Sequence, residues 1–290
     1  MKKIVGITGA DGVLGKCLYD INNKTGENLF RPFIGDLREK KEITNWIKVN
    51  NFDCVIHLAA IVPIQLVNKN INNAWRVNVL GTNNLAEAVL LNGSKARLIY
   101  ASTSHVYKPN KRARTETSKL LPQNLYGLSK LHAEQILNYY EQHRRLKLTI
   151  CRIFSFTSIY QPNSYFIPAI VNKIRNLNGH NSIEFKSLNG YRDFMDGHDV
   201  ARAILHILKK DVNGTINICS GRRYSLRTIV KMCLKSFEKN KVIIVEEKPT
   251  RDHLEVLWGN NHKLKELGFK PKLDSMQQIL KNYINYTVKR

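Results

Sequence analysis

Tyr126 and Lys130 stand four residues apart in the stretch Tyr126-Gly127-Leu128-Ser129-Lys130. On a helix that spacing places the two side chains one above the other on the same face. A free tyrosine has a pKa of about 10 and is a poor acid or base at neutral pH. A cation within about 4–6 Å favours the phenolate and lowers that value. A shift of roughly three units amounts to about 4 kcal/mol of electrostatics and would suit Tyr126 to proton transfer at neutral pH. By itself the pair is only a spacing, since many amphipathic helices carry a tyrosine and a lysine four apart. The elements around it decide whether it does chemistry.

Lys3-Ile4-Val5-Gly6-Ile7-Thr8 reads as a short buried strand. Gly9-Ala10-Asp11-Gly12-Val13-Leu14-Gly15 follows at once, and a helical apolar pattern then runs through Leu14, Cys17, Leu18 and Ile21. Strand, glycine turn and helix in this order form a credible diphosphate cradle. One glycine permits the turn, one lets backbone amides approach a pyrophosphate, and one lets the helix pack on the strand. The helix N-terminus adds unpaired N–H groups and a partial positive charge.

Gly9-x-x-Gly12-x-x-Gly15 and Tyr126-x-x-x-Lys130 together resemble the short-chain dehydrogenase/reductase superfamily. Further segments resemble its extended branch, the nucleotide-sugar epimerases, dehydratases and reductases. They are His57-Leu58-Ala59-Ala60, Asn78-Val79-Leu80-Gly81-Thr82 opening a helix, Ser102-Thr103-Ser104-His105-Val106-Tyr107, Arg192-Asp193-Phe194-Met195-Asp196, Asp199-Val200-Ala201-Arg202-Ala203-Ile204, and the close from Leu264 to Pro271. They occur in order along nearly the whole chain.

The resemblance implies a catalytic trio of Thr103, Tyr126 and Lys130, with Ser102 and Ser104 flanking the first member; Tyr126 and Lys130 are also expected to contact the cofactor, Lys130 holding the nicotinamide ribose. It implies a nicotinamide dinucleotide held by Gly9, Asp11, Gly12, Val13, Leu14 and Gly15, by Leu58, Ala59 and Ala60, and by Asp36 and Leu37 at the adenine. Asn78 is expected beside the cofactor as a structural hydrogen-bonder. Ser104 and His105 are expected to meet the substrate, and Arg192 and Arg251 to grip the diphosphate of a sugar-nucleotide. A guanidinium fork suits phosphate oxygens. Dinucleotide enzymes that use NAD usually carry an acid at the end of the second strand for the ribose hydroxyls. Here the region Asn28 to Arg38 is short and has no clear acid at that point, while Arg31, or else Arg38, could meet a 2′-phosphate. NADP is therefore expected ahead of NAD. Two departures fall beside the sugar pocket: Lys108 where the family has glycine, and Ser155 where it has asparagine or glycine.

The chain of 290 residues is long enough for one sizeable core, or a core with a smaller lobe. It has no apolar run of about 18 residues, so no membrane span is expected. Five widely spaced cysteines fit reduced thiols in a cytoplasm, and the nine histidines form no metal-ligand cluster. The net charge of +23 attracts anions, nucleotide diphosphates included. The basic residues are spread from Lys2 to Arg290, and the tightest group, Lys108 to Arg114, lacks interleaved aromatics. It reads as a solvated loop, and no specific nucleic-acid partner is expected.

Strand patterns at Lys3–Thr8, Asn28–Ile34, Cys54–Ala59, Arg97–Ala101 and Leu148–Ile153 alternate with helical ones near Leu14–Asn22, Lys41–Val49, Ala74–Leu91 and Ser129–Arg144. This alternation predicts an α/β fold with a doubly wound parallel sheet of the Rossmann type. Residues 1–160 would form the dinucleotide-binding domain. Residues 161–290 would form a substrate lobe, some of it returning to the sheet through a strand at Thr215–Cys219. The expected reaction is hydride transfer between the cofactor and a keto or hydroxyl group of a nucleotide-activated sugar. A 4-ketoreductase serving surface polysaccharide synthesis leads, ahead of a C4 epimerase that retains NAD. A dehydratase would want an acid pair where Ser104-His105 stands. A non-catalytic nucleotide- or RNA-binding protein of the same fold is the reading from another class. A homodimer through the Tyr126 helix is usual for the family.

Overall fold

Five short apolar runs in the first half of the chain become strands β1 (Lys3–Thr8), β2 (Asn28–Pro32), β3 (Cys54–His57), β4 (Arg97–Thr103) and β5 (Leu148–Ile153). A sixth strand, Gly214–Ile218, adds beside β5. The sheet order is Gly214–Ile218, β5, β4, β3, β1, β2, and every pairing is parallel. The computed structural model describes residues 2–92, 95–247 and 255–288.

Helices cover both faces of this sheet, which is why its strands are apolar on both sides. Alternate residues point to opposite faces. Val5, Ile7, Ile56 and Ile99 pack with Leu18, and with Ile204 of the helix Gly197–Lys210. Val55, Leu98, Tyr100 and Ile150 pack instead with Ile43, Leu85 and Leu137 from the helices Lys40–Asn50, Gly81–Leu91 and Leu125–Arg144. A third core belongs to the second half of the chain. Ile170, Val230, Met276 and Leu280 join the helices Phe166–Arg175, Leu226–Ser236 and Met276–Val288. Among the described residues, no helix is long and apolar enough to cross a membrane.

Some boundaries differ from expectation. The helix expected at Ala74–Leu91 is interrupted: Ile71–Trp75 passes into a π-helical turn, Arg76–Leu80, before Gly81–Leu91. Asn78 therefore lies inside the π turn and does not open a helix. Gly81, just beyond it, is where the Leu37 loop crosses, and a Cβ there would sit 2.8 Å from the Leu37 Cβ. Asp199, just before the apolar run from Val200, stands where an N-cap would be sought. The helix starts earlier, at Gly197, and Asp196 caps it by accepting the His198 N–H at 2.9 Å. The Asp199 carboxylate instead receives the N–H groups of Lys272 and Leu273, at 2.9 and 2.8 Å, and pairs with Arg202.

Candidate active site

The carboxyl ends of β1, β3, β4 and β5 meet along one edge of the sheet, where ligands of such folds bind. β1 delivers Gly9 in the left-handed region, at φ 69°. A Cβ on Gly9 would lie 2.7 Å from the Ala59 amide nitrogen, and one on Gly15 would lie 2.3 Å from the Ala10 carbonyl oxygen. Side chains at either position would push the turn apart. Gly12 is the N-cap residue of the helix Val13–Thr25 and offers no side chain to the helix end. The first-turn amides there are thus left to a ligand, and no acidic side chain stands in that turn to repel an anion. This is a cradle that fits a diphosphate.

A single cleft of about 1010 Å³ runs from this turn. Asp11 and residues 12–15 line it, as do Asp36, Leu37, Leu58, Ala59 and Ala60. Thr103, Ser104, His105, Tyr126, Lys130 and Arg192 line the same cleft. The trio is thereby assembled from two elements: Thr103 is the last residue of β4, and Tyr126 and Lys130 share the helix Leu125–Arg144. That helix begins four residues before the expected Ser129, because Asn124 caps it by accepting the Gly127 N–H at 2.8 Å. Capping by asparagine stabilises a helix end by about 1 kcal/mol, and here it brings Tyr126 into the first turn.

The electrostatics depart from the simple expectation for the pair. Burial is the largest influence on Tyr126 and raises its pKa, against which a hydrogen bond with Thr103 pulls downward. Lys130 is also fully buried, and burial pulls its pKa down to about 7 while Glu134 pushes it back up. Its Nζ sits 4.1 Å from the centroid of the Tyr100 ring, a cation–π contact. The protein's own charges therefore do not make Tyr126 a phenolate. Burial keeps it a phenol, beside a lysine that burial also drives toward its neutral form.

Beneath the pair lies a buried polar network. Arg152 of β5 pairs with Glu134 through Nη2 at 2.7 Å and through Nε, and the Ser102 hydroxyl donates to the same carboxylate. The outer Arg152 nitrogen reaches the Tyr107 hydroxyl at 3.1 Å, which in turn donates to Asn217 at 2.6 Å. His57, at the end of β3, is held between the hydroxyls of Thr8 and Thr82, at 2.6 and 2.9 Å. Burial first, and the Lys130 charge second, lower its pKa to about 3, so it remains neutral.

Several expected residues stand elsewhere. Asn78 is behind the cleft wall. Its amide binds both backbone groups of Ile61, at 2.8 and 3.0 Å, and donates to Ser129 at 3.1 Å, clamping a wall loop to the Tyr126 helix. Arg31 does not line the cleft. Parallel register puts it opposite Gly6 on β1, and it is exposed. Arg38 turns back onto Asp36, with Nε 2.8 Å from a carboxylate oxygen. Arg251 lies outside the described residues. In the basic group Lys108–Arg114, expected to be solvated, Arg114 is buried and donates to the carbonyls of Asn110, Arg112 and Val256. The carbonyl-rich turn around it takes the guanidinium, and that contact joins residues 142 apart. The sequence reading missed Gln161 and Tyr165 on the cleft wall, and it missed Asn124. Only Asn124 carried a signal, as an asparagine three residues before Gly127 at a helix start. Among the described residues, no cluster of side chains could hold a metal ion.

Over 285 residues the chain is 28% identical to the GDP-6-deoxy-D-talose 4-dehydrogenase of Aggregatibacter actinomycetemcomitans, covering 94% of each chain. It is 26% identical over 237 residues to the GDP-6-deoxy-D-mannose reductase of Pseudomonas aeruginosa strain PAO1, covering 78% of each. Its fold matches the structure of RMD from Pseudomonas aeruginosa complexed with NADPH, with a TM-score of 0.86 at 23% identity, over 98% of this chain and 100% of that one. The model of the NAD dependent epimerase/dehydratase family matches residues 5–219. That span runs from β1 through the last strand of the sheet and includes every element that lines the cleft, so the chain belongs to the NAD dependent epimerase/dehydratase family.

Proposed function

We propose that the chain is an NADPH-dependent reductase of a 4-keto-6-deoxy sugar carried on a nucleoside diphosphate, supplying a deoxysugar for surface polysaccharide. The observation that carries this reading is that Thr103, Tyr126 and Lys130 line one cleft with the glycine turn and with Arg192. The two relatives named for GDP-6-deoxy sugars favour GDP as the nucleotide.

Bound in the cleft, the reduced nicotinamide would supply a hydride to the carbonyl carbon, C4 of the sugar. The chain's own groups handle the oxygen. As the carbonyl π pair moves onto that oxygen, Thr103 donates a hydrogen bond to it and Tyr126 delivers its proton. The upward push that burial exerts on Tyr126 suits this direction, because the acid must still hold its proton when the substrate arrives. Lys130 then stabilises the phenolate left behind, and solvent returns the proton. Arg192 holds the diphosphate and so keeps the reacting carbon in place. Positioned donors of this kind are each worth a few kcal/mol, about 10²–10³ in rate.

Support for NADPH comes from charge. No carboxylate stands at the end of β2, where Pro32 precedes Phe33. Asp36, on the cleft wall, is held below the usual carboxylate range by its hydrogen bonds to Arg38, with Arg76 adding to the effect. Arg38 and Arg76 put positive charge around Asp36 at this end of the cleft, which would suit a 2′-phosphate better than a bare hydroxyl.

The test is a panel of UDP-, dTDP-, GDP- and CDP-linked 4-keto-6-deoxy sugars with NADPH and NADH. Consumption of NADPH that depends on the keto sugar supports the reading. Interconversion of C4 epimers without added cofactor, by protein that carries NAD through purification, would replace it with the epimerase.

A further inference from the structure

The Asn124 side chain does two things at once. Its oxygen accepts the Gly127 N–H at 2.8 Å and caps the Tyr126 helix. Its nitrogen faces His105, with Nδ2 3.2 Å from Nδ1 of the imidazole. An amide has one oxygen and one NH2 group, and only the NH2 donates. Because the helix cap fixes which arm is the oxygen, the arm facing His105 is the donor. Nδ1 must then be the acceptor, and the hydrogen of the neutral ring belongs on Nε2.

His105 is also fixed in place. Its backbone N–H reaches the Thr103 hydroxyl oxygen at 3.3 Å. Its carbonyl lies so close to Gly127 that a Cβ there would be 2.4 Å from the oxygen. Its ring meets that of Tyr126 edge to face, with centroids 6.1 Å apart and planes at 67°. Both rings line the cleft beside Thr103.

We propose that Asn124 is a positioning residue that locks His105 in the Nε2–H tautomer, so that His105 offers the sugar a hydrogen-bond donor and never a base. This rests on the reductase reading above. A nitrogen that already carries its proton cannot remove one from carbon. His105 therefore does not serve an elimination or a deprotonation beside the keto group.

The experiment is a two-bond proton–nitrogen correlation spectrum of 15N-labelled protein, paired with steady-state kinetics. The expected wild-type spectrum shows His105 protonated on Nε2. Asn124→Asp keeps a good helix cap, but its second oxygen can only accept, so His105 moves its proton to Nδ1. The melting temperature then stays close to wild type while kcat falls about 10- to 100-fold, the scale of one lost hydrogen bond to the reacting complex. Asn124→Ser, a cap with no amide and no charge, gives mixed tautomers and intermediate loss. His105→Gln, whose amide restores an N–H donor, keeps more activity than His105→Ala. A wild-type Nδ1–H spectrum, or an Asn124→Asp protein with full kcat, would overturn the proposal. The spectrum needs no substrate, so wild-type protein that turns over no keto sugar would defeat the reductase reading and still leave the lock decided.

Discussion

Lys130 lies over the ring of Tyr100, with Nζ 4.1 Å from the ring centroid, on the same helix as Tyr126 and one turn beyond it. The contact belongs to a buried site, where burial draws the lysine pKa down to about 7. The ammonium is costly to hold there, and the cost follows from the fold and not from the chemistry. Its return comes when negative charge develops on Tyr126.

Lys130→Met should therefore stabilise the protein while abolishing turnover. The folded pKa is depressed below the unfolded value of 10.5. The penalty is absent above that value, grows as pH falls toward 7, and is complete below it. Urea unfolding without added nucleotide should show the gain at neutral pH and its disappearance as pH rises toward 10.5. A methionine variant less stable than wild type at pH 7 would contradict this.

Tyr126→Phe removes the proton donor and leaves the packing. We expect kcat to fall about 10²- to 10⁴-fold, the usual contribution of a positioned general acid. Binding of NADPH, followed by its fluorescence, should change little. Loss of binding in step with activity would assign Tyr126 to the cradle and not to proton transfer.

Glu134 and Arg152 make a buried pair, 1% and 5% exposed at their side chains. Removing one partner strands the other, which typically costs about 3–5 kcal/mol. Arg152→Met and Glu134→Gln should each destabilise strongly. The double variant should lose much less than the sum, as coupled neighbours do. Additive losses in a denaturant series would show that the pair is not energetically coupled.

His198 joins the helices Val13–Thr25 and Gly197–Lys210. Its Nε2 is 2.8 Å from Asp20, which also accepts from Tyr160, and Asp196 sits 3.6 Å from its other nitrogen. Hydrogen bonding to Asp196 is the largest influence and raises its pKa above 6.5, with Asp20 adding to it. The stabilisation is complete below the unfolded value of 6.5 and is lost as pH rises through the higher folded value. Stability should decline over that window in the wild type, and His198→Asn should flatten the decline. An unchanged slope in the variant would remove His198 as its source.

Much of the cleft was legible because its signals are local. A glycine turn between a strand and a helix, and a tyrosine and lysine four apart, both follow from backbone geometry over a few residues. The parallel sheet was legible because its strands are buried on both faces and read as apolar runs. The rest depends on contacts distant in the chain. The burial of Arg114 is set by a carbonyl of Val256, and the π turn at Arg76–Leu80 has no residue pattern of its own. Asp196 and Asp199 compete for one helix start, and the loser is decided by the amides of Lys272 and Leu273. The outward face of β2, which leaves Arg31 off the cleft wall, follows from register against β1.

The central claim is that this cleft reduces a keto sugar by hydride transfer, with Tyr126 completing the alcohol. The most direct measurement supplies NADPH deuterated at the transferable position together with a GDP-linked 4-keto-6-deoxy sugar, and reads the product by mass spectrometry. The account predicts one deuterium on the new carbinol carbon, and its loss in Tyr126→Phe. A product with no deuterium, formed while NADPH remains unconsumed, would contradict it.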